Sequence, residues 1–241
     1  AVADHYLPAF YKDDLPSTKY GAILSISDKM ETLISIFISG KRPSGSSDPY
    51  ALRRNLNGII QIIWKFDLDL SFESIFEDLL EYWSISLPKL NFLKEKVLND
   101  LIEFTNQRIV SHLEELSFGK DLIRAICFSD TLSEKRIMNV VDLKNRFNTI
   151  SSFKEKANFS EVRKVISRVS KLANNGEIDK IILYSKGYVN PDLFEKKCEY
   201  KVFEFIRELE TLLSLPDWNY SKLFSLFETN ANNLKELFDN D

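Results

Sequence analysis

Apolar residues recur every three or four positions along most of the chain, which is the spacing of one buried face of an α-helix. The longest such stripe contains Leu90, Leu93, Val97, Leu101 and Phe104, and it requires burial against a neighbouring element. Glycine is scarce, with 7 residues among 241. The pattern therefore predicts an all-α protein.

The bounds of the helices follow from the prolines, glycines and capping residues that interrupt the apolar pattern. The predicted helices cover residues 20–39, 49–66, 72–83, 88–116, 120–128, 133–148, 159–173, 191–213, 221–228 and 230–238. Residues 150–158 are polar and small, and we predict a domain junction there. The chain is long enough for one large helical domain or two smaller ones.

The composition is that of an ordinary folded protein, with 44% hydrophobic and 28% charged residues. The net charge of -4 argues against a protein that coats nucleic acid indiscriminately, although it permits local basic patches. Cys127 and Cys198 lie far apart, which argues against a secreted disulfide framework and favours the reducing cytoplasm. The apolar stretches are short or carry charges, so we expect no membrane association.

The connection after the first predicted helix leads into a cluster that we call the first basic patch: Lys41, Arg42, Arg53 and Arg54. Asp48 is expected to cap the next helix, and Pro49 suits its first turn, where a missing N–H costs nothing. The two arginines then lie in the second turn, and the residues four positions further on are Asn57 and Gly58, not acids. Their partner is either a carboxylate of a neighbouring helix or an RNA phosphate or base. The pattern alone leaves both interpretations open.

A second basic patch lies on the helix predicted over residues 159–173 and consists of Arg163, Lys164, Arg168 and Lys171. Lys164, Arg168 and Lys171 fall at i, i+4 and i+7, so they line one exposed face opposite an apolar stripe. With Glu161 included, the segment 161–171 carries a charge of +3, from four basic residues and one acidic residue. This face is typical both of a phosphate-binding helix and of an ordinary solvated one.

A metal-dependent phosphohydrolase site is the only other chemistry that the residues suggest, through Asp4, His5 and Asp28. Such a site needs several His and Asp ligands, and His112 is the only other histidine. The chain also lacks a Gly-rich phosphate loop and a nucleophile elbow. We therefore predict no catalytic residue, no metal site and no bound cofactor in this chain.

Several ordered sequence words in residues 5–64 match one known family. They are His5-Tyr6-Leu7-Pro8, Asp13-Asp14-Leu15-Pro16, Ser27-Asp28-Lys29-Met30-Glu31-Thr32-Leu33, Gly40, Ser44-Gly45-Ser46-Ser47-Asp48-Pro49-Tyr50-Ala51-Leu52-Arg53-Arg54 and Gly58. On these words the chain resembles the β subunit of the bacterial two-subunit glycyl-tRNA synthetase. The collinear segments 118–125, 168–172 and 237–239 look like later parts of the same family. The resemblance therefore covers essentially the whole chain.

The resemblance implies the C-terminal part of a degenerate HD-like domain over residues 1–46, a helical body over 47–155 and a truncated helical anticodon-binding domain over 156–241. In this family the α subunit is similar to class II synthetase cores and makes glycyl-adenylate from glycine and ATP, whereas the β subunit binds tRNA. The working enzyme is an α2β2 assembly.

These family properties imply that the chain is the tRNA-binding part of a cytoplasmic glycine-tRNA ligase. Its partners would be glycine tRNA and the α subunit. ATP would be used by the holoenzyme, and the fragment alone would not be catalytic. Both basic patches become candidates for contact with tRNA.

Two alternatives accompany this interpretation. The chain could be a purely structural helical module of the heterotetramer without RNA contact, which buried ion-paired arginines and large exposed apolar faces would favour. A residual hydrolase activity from HD-like ancestry is the other, and metal analysis would test it.

The chain also departs from the family pattern. We expect it to be a piece of a longer polypeptide that begins after the family's larger N-terminal part, including the region of the HD doublet. It also stops before the last helices of the anticodon-binding domain. Lys171 stands where the family usually has Asn, which argues against a base contact there and leaves a phosphate contact.

Overall fold

Nine α-helices account for most of the residues that the structure describes, and short 3-10 turns lie at Ala3–Tyr6 and Pro191–Leu193. The helices are α1 Lys19–Ile38, α2 Leu52–Phe66, α3 Phe72–Ser86, α4 Lys94–Glu115, α5 Lys120–Cys127, α6 Val140–Lys154, α7 Phe159–Asn175, α8 Lys197–Ser214 and α9 Tyr220–Asp239. This computed structural model describes residues 2–10, 12–116, 118–127, 139–175, 189–216 and 218–239. Within these ranges there is no strand beyond two isolated bridges, so the all-α prediction is confirmed.

Three helices begin later than the sequence pattern predicted, and a proline is the reason each time. Pro49 precedes α2, which begins at Leu52, and Pro88 lies in a turn ahead of α4 at Lys94. Pro191 opens a separate 3-10 turn before α8. In each case the fixed φ of proline fits a turn, and its missing N–H is not required by a helix.

The last helix is continuous, whereas the sequence pattern predicted a break near residue 229. Thr229 donates its hydroxyl to the carbonyl of Ser225 over 2.9 Å, and the Asn230 amide donates to the carbonyl of Leu226 over 3.1 Å. Because both polar side chains bond back to the preceding turn, they are accommodated inside α9.

Helix α6 also differs from its prediction. Its predicted start at residue 133 lies outside the described residues. Helix α7 ends at Asn175, two residues after its predicted end. Helix α6 continues to Lys154, so the beginning of the predicted polar junction is helical.

The chain forms two compact units, Ala1–Phe147 and Asn148–Asp241. The division falls within α6, just before the junction predicted at residues 150–158. The three-part domain assignment over 1–46, 47–155 and 156–241 stays a prediction.

In the first unit, α1 packs against α2 and α4, and α3 and α5 pack against α4. Of the stripe predicted to be buried on the helix at residues 88–116, Val97, Leu101 and Phe104 lie in this core, whereas Leu90 and Leu93 precede α4 and are exposed, so their predicted burial is wrong. The largest fully buried side chains of the core are Leu33, Ile34, Leu52, Leu56, Ile59, Ile60, Ile62, Ile63, Phe72, Phe76, Leu80 and Phe147. Each fully buried side chain of this size contributes about 1.5–3 kcal/mol. The core thereby fixes α2 and α4, which carry the basic residues described below.

The N-terminal segment is held on α1 and α2 by a buried lysine and a glycine. Lys29 is 4% exposed, and its Nζ donates to the carbonyls of residues 5–7 over 3.3–3.4 Å and to Ser25 Oγ over 2.9 Å. A Cβ on Gly58 would lie 3.0 Å from Cγ of Pro8, so the close approach of this segment to α2 favours glycine there.

In the second unit, α9 packs against α7 and α8. Its core consists of Val165, Val202, Phe205 and Leu234, surrounded by the partly buried Leu209, Leu226, Phe227, Leu237 and Phe238. Glu228 on α9 accepts hydrogen bonds from Lys156 over 2.6 Å and Asn158 over 3.0 Å, ahead of α7. These contacts, with that of Lys156 the largest, lower the pKa of Glu228.

Candidate nucleic-acid interface

The connection that carries the first basic patch starts from a well-defined helix end. Gly40 has a φ of 76°, and its N–H donates to the carbonyl of Phe37 over 3.0 Å. The N–H of Lys41 donates to the carbonyl of Ile36 over 3.2 Å. These two bonds form a Schellman turn, which confirms the predicted end of α1 near Gly40.

Asp48 caps α2, as predicted. Its Oδ1 accepts from the N–H of Leu52 over 2.8 Å, and its Oδ2 accepts from the N–H of Arg53 over 3.0 Å. Ala51, with a φ of 54°, precedes the helix. The arginines consequently lie in the first turn of α2 and not in the second, which corrects the predicted register. Both oxygens of the Asp48 carboxylate are therefore hydrogen-bonded to backbone N–H groups.

Lys41 and Arg42 are anchored to the fold by different partners. Nζ of Lys41 donates to Tyr50 Oη over 2.7 Å and lies 5.1 Å from the centroid of that ring. Arg42 forms an ion pair with Asp100 of α4. Under the structural interpretation of this loop, we expected Arg53 or Arg54 to form an ion pair with a carboxylate of a neighbouring helix. In the structure, Arg42 forms this ion pair instead.

The two arginines of α2 have no carboxylate within ion-pair distance in the part of the chain described. Arg54 is exposed, and its Nη1 donates to the carbonyl of Ala9 over 3.1 Å. Arg53 is half-buried on the same turn. Within the described ranges, both positive charges are therefore uncompensated by a direct ion pair.

The second basic patch lies on α7 as the helical period predicted. Val162 and Val165 are buried, whereas Arg163, Lys164 and Lys171 are exposed. None of these three cations has an ion-pair partner among the described residues. The face is consequently open to solvent and positively charged.

Arg168 is the exception on α7. Its Nη1 lies 2.7 Å from Oδ1 of Asp239, its Nη2 donates to the carbonyl of Phe238 over 3.4 Å, and its guanidinium carbon lies 5.2 Å from that ring. Both members of the ion pair are about half exposed, at 48% and 51%. Arg168 is thus partly neutralised at the surface and not inside the core.

A further arginine near the first basic patch was missed from the sequence. Arg108 on α4 is 17% exposed, its Nε donates to Oδ1 of Asn57 on α2 over 3.4 Å, and its Nη2 lies 4.0 Å from Glu115. Burial, with the nearby charge of Arg53, lowers the pKa of Arg108, whereas Glu115 raises it. The contact joins two helices distant in sequence, so no local pattern marks it.

Titratable side chains outside the patches are held in structural contacts. The carboxylate of Asp4 accepts from the hydroxyl and N–H of Ser17, which lowers the pKa of Asp4. His5 bonds to the carbonyl of Val2 near the turn, and burial raises the pKa of the Cys127 thiol to about 11. The described residues contain no group of three or more His, Cys, Asp and Glu side chains arranged to bind a metal ion.

None of the helices described above has both the length and the apolar character that a membrane span requires.

Comparison with known proteins identifies the family. A family model described as "Glycyl-tRNA synthetase beta subunit" matches residues 1–128, which include the first unit's basic patch and the whole of α1 to α5.

Curated relatives extend the similarity to the rest of the chain. A glycine–tRNA ligase beta subunit from Acaryochloris marina is 30% identical over 245 aligned residues, which cover 100% of this chain and 34% of the relative. The protein of the same name from Thermodesulfovibrio yellowstonii is 35% identical over 86% of this chain and 27% of its own length. That from Clostridioides difficile is 30% identical over 99% of this chain and 32% of its own length.

The chain therefore spans about a third of the length of the relatives it matches. Since the family model covers more than half of the chain and the relatives align with nearly all of it, the chain belongs to the glycyl-tRNA synthetase beta subunit family.

Proposed function

We propose that this chain is an RNA-contacting part of glycine–tRNA ligase, in which both basic patches bind the phosphate backbone of glycine tRNA. Amino-acid activation with ATP takes place on the α subunit, with which the β subunit assembles in the cytoplasm as α2β2. The chain itself contributes affinity and positioning.

The proposal is supported by lysine and arginine side chains that have no ion-pair partner among the described residues. Among the described residues, Arg42 and Arg168 pair with a carboxylate, whereas the other six of the eight predicted cations have no such partner. Unpaired lysines and arginines on helix faces attract phosphate and release counterions from RNA when they bind it. Within this family, tRNA is the phosphate-bearing macromolecule that such cations would meet.

The experiment separates RNA contact from amino-acid activation. The enzyme is reconstituted from the α subunit and full-length β subunit that carries Arg53→Glu with Arg54→Glu, or Arg163→Glu with Lys164→Glu. We expect a KM for glycine tRNA raised about tenfold or more, because each reversal replaces an attraction by a repulsion. Glycine-dependent ATP–pyrophosphate exchange is expected to stay unchanged.

Lys235→Glu serves as the matched control, because Lys235 is an exposed cation on α9 outside both patches. Equal losses with Lys235→Glu, or unchanged tRNA charging in both double variants, would refute the assigned contacts.

A second function, assembly of the complex, is favoured by one specific surface. Large apolar side chains at the end of α3 and in the following connection are strongly exposed: Tyr82 at 65%, Ile85 at 69%, Leu87 at 49%, Leu90 at 40% and Leu93 at 73%. Contiguous exposed apolar groups are typical of protein interfaces. Replacement of Ile85 and Leu93 by Ser is expected to weaken subunit association in sedimentation experiments, with tRNA affinity of the β subunit unaffected.

A further inference from the structure

The first basic patch extends inward to a side chain that belongs to another helix. Arg53 and Asn57 lie one turn apart on α2, and Nε of Arg108 from α4 donates to Oδ1 of Asn57 over 3.4 Å. Because residues one turn apart face the same side of a helix, Arg53 lies beside the contact between Asn57 and Arg108. Burial is the main cause that lowers the pKa of Arg108, and the positive charge of Arg53 adds a smaller contribution in the same direction.

The carboxylates around these two arginines compensate them incompletely. Both oxygens of Asp48 accept backbone N–H groups of α2. Glu115 lies 4.0 Å from Nη2 of Arg108, at the limit of an ion pair, and is 40% exposed. Two positive charges thus share one carboxylate at the limit of ion-pair distance and one that is already hydrogen-bonded to the backbone.

The inner end of this cluster is closed by uncharged groups. His112 is 5% exposed, and its ring lies 5.2 Å from that of Trp64. Burial lowers the pKa of His112, which favours its neutral form. Its Nδ1 is buried without a hydrogen-bond partner in the described part of the chain, and it lies 3.7 Å from Oε2 of Glu115, the carboxylate that also approaches Arg108.

Both arginines retain contact with solvent. Arg53 is half-buried, and the Arg108 side chain is 17% exposed. Guanidinium groups bind phosphate oxygens through paired N–H donors, and preorganised neighbours lose little entropy on binding.

We propose that Arg53 and Arg108 together bind one phosphate group, with Asn57 as the residue that positions Arg108. This inference rests on the proposed function, because it identifies the phosphate as a phosphodiester of the tRNA backbone. Arg54, one residue further along α2, bonds to the carbonyl of Ala9 and lies outside this pair.

The test uses full-length β subunit with Arg53→Gln, Arg108→Gln and the double variant, each in two assays. Inorganic phosphate is expected to raise the thermal midpoint of the wild-type protein, and each single variant is expected to lose this shift. The affinity for glycine tRNA is expected to fall about tenfold in each single variant. The salt dependence of log K is expected to become shallower by about one.

The double variant distinguishes a shared ligand from two separate contacts. If both arginines bind one phosphate, the loss in the double variant is smaller than the product of the two single losses. Arg146→Gln is the matched control, because Arg146 is 20% exposed and pairs with Asp142 over 2.5 Å. It is expected to leave both assays unchanged.

If Arg108→Gln lowers stability, Arg108→Lys keeps the charge without the bidentate fork and is expected to give an intermediate loss of phosphate protection. If phosphate protection depends on both arginines but wild-type protein does not bind tRNA, the phosphate site stands and the proposed function fails. If tRNA affinity falls with Arg163→Glu and Lys164→Glu but neither assay responds to Arg53→Gln or Arg108→Gln, the function stands and this inference is overturned.

Discussion

The two basic patches differ in how their charges are held. In the first, Lys41, Arg42 and Arg54 are each fixed by a contact to the fold, namely a tyrosine, a carboxylate and a backbone carbonyl. In the second, three of four cations extend from α7 without such a contact among the described residues, and Arg168 is the one held.

Similar basic patterns in the sequence therefore produce two kinds of surface. Cations that are fixed before binding lose little side-chain entropy when they contact a phosphate, so geometry matters there. Free cations on one helix face act through charge number and respond mainly to salt. The first patch is therefore expected to depend on the surrounding fold, and the second is not.

We expect the strongest loss of stability from a change at Lys29. This residue anchors the N-terminal segment whose Ala9 carbonyl accepts a hydrogen bond from Arg54. Lys29→Met removes the donor that reaches three carbonyls of residues 5–7. Since partly buried acceptors then lack a partner, we expect a loss of about 1–3 kcal/mol in the free energy of unfolding. Urea denaturation measures this loss. Lys19→Met, at an exposed position of the same helix, is expected to change stability little.

The helix cap comes next. Asp48→Ala removes the acceptor for two N–H groups at the start of α2, and we expect a loss of about 1–2 kcal/mol in the free energy of unfolding. Calorimetry of the variant beside Asp14→Ala, an exposed loop aspartate, isolates the cap. Equal stability of the two variants would contradict the capping role.

The pattern of the sequence was sufficient for local features and insufficient for contacts between helices. The end of α1 follows from Gly40, and the exposed face of α7 follows from its period, because both depend on neighbours within a few residues. The pairing of Arg42 with Asp100 joins segments far apart in sequence, and no periodicity encodes it.

The prolines show a second limit of local reasoning. Proline is favoured both in the first turn of a helix and in a turn ahead of the helix, so Pro49 and Pro88 are compatible with either position. The packing of α2 and α4 decides between these possibilities, so their starts could not be predicted from propensity. The inward extension of the first patch to Arg108 was missed for the same reason.

A pH effect specific to the first unit is expected from His112. Burial is the main cause that lowers its pKa, so the unfolded chain binds more protons than the folded chain as pH falls below about 6.5. The free energy of unfolding therefore falls as pH drops through this range. His112→Gln is expected to reduce the dependence of the free energy of unfolding on pH, measured by chemical denaturation between pH 7 and pH 5.

In the second patch, we expect only a small effect from the exposed ion pair of Arg168. Asp239→Asn releases Arg168 from an exposed ion pair and is expected to change the free energy of unfolding by about 0.5 kcal/mol or less. Because one more guanidinium becomes free, tRNA affinity is expected to rise slightly and its salt dependence to steepen. Filter binding compares this variant with Glu236→Gln, which neutralises an exposed acid nearby in sequence. A greater gain from Glu236→Gln would show that net charge matters and release of Arg168 does not.

The salt dependence of glycine tRNA binding by the full-length β subunit tests whether both basic patches contact RNA. If cations of both patches contact phosphates, log K falls steeply with log salt concentration, and the slope becomes shallower when Arg53 and Arg54, or Lys164 and Lys171, are changed to Gln. A slope that stays the same in both double variants would contradict the claim that these side chains bind the tRNA backbone.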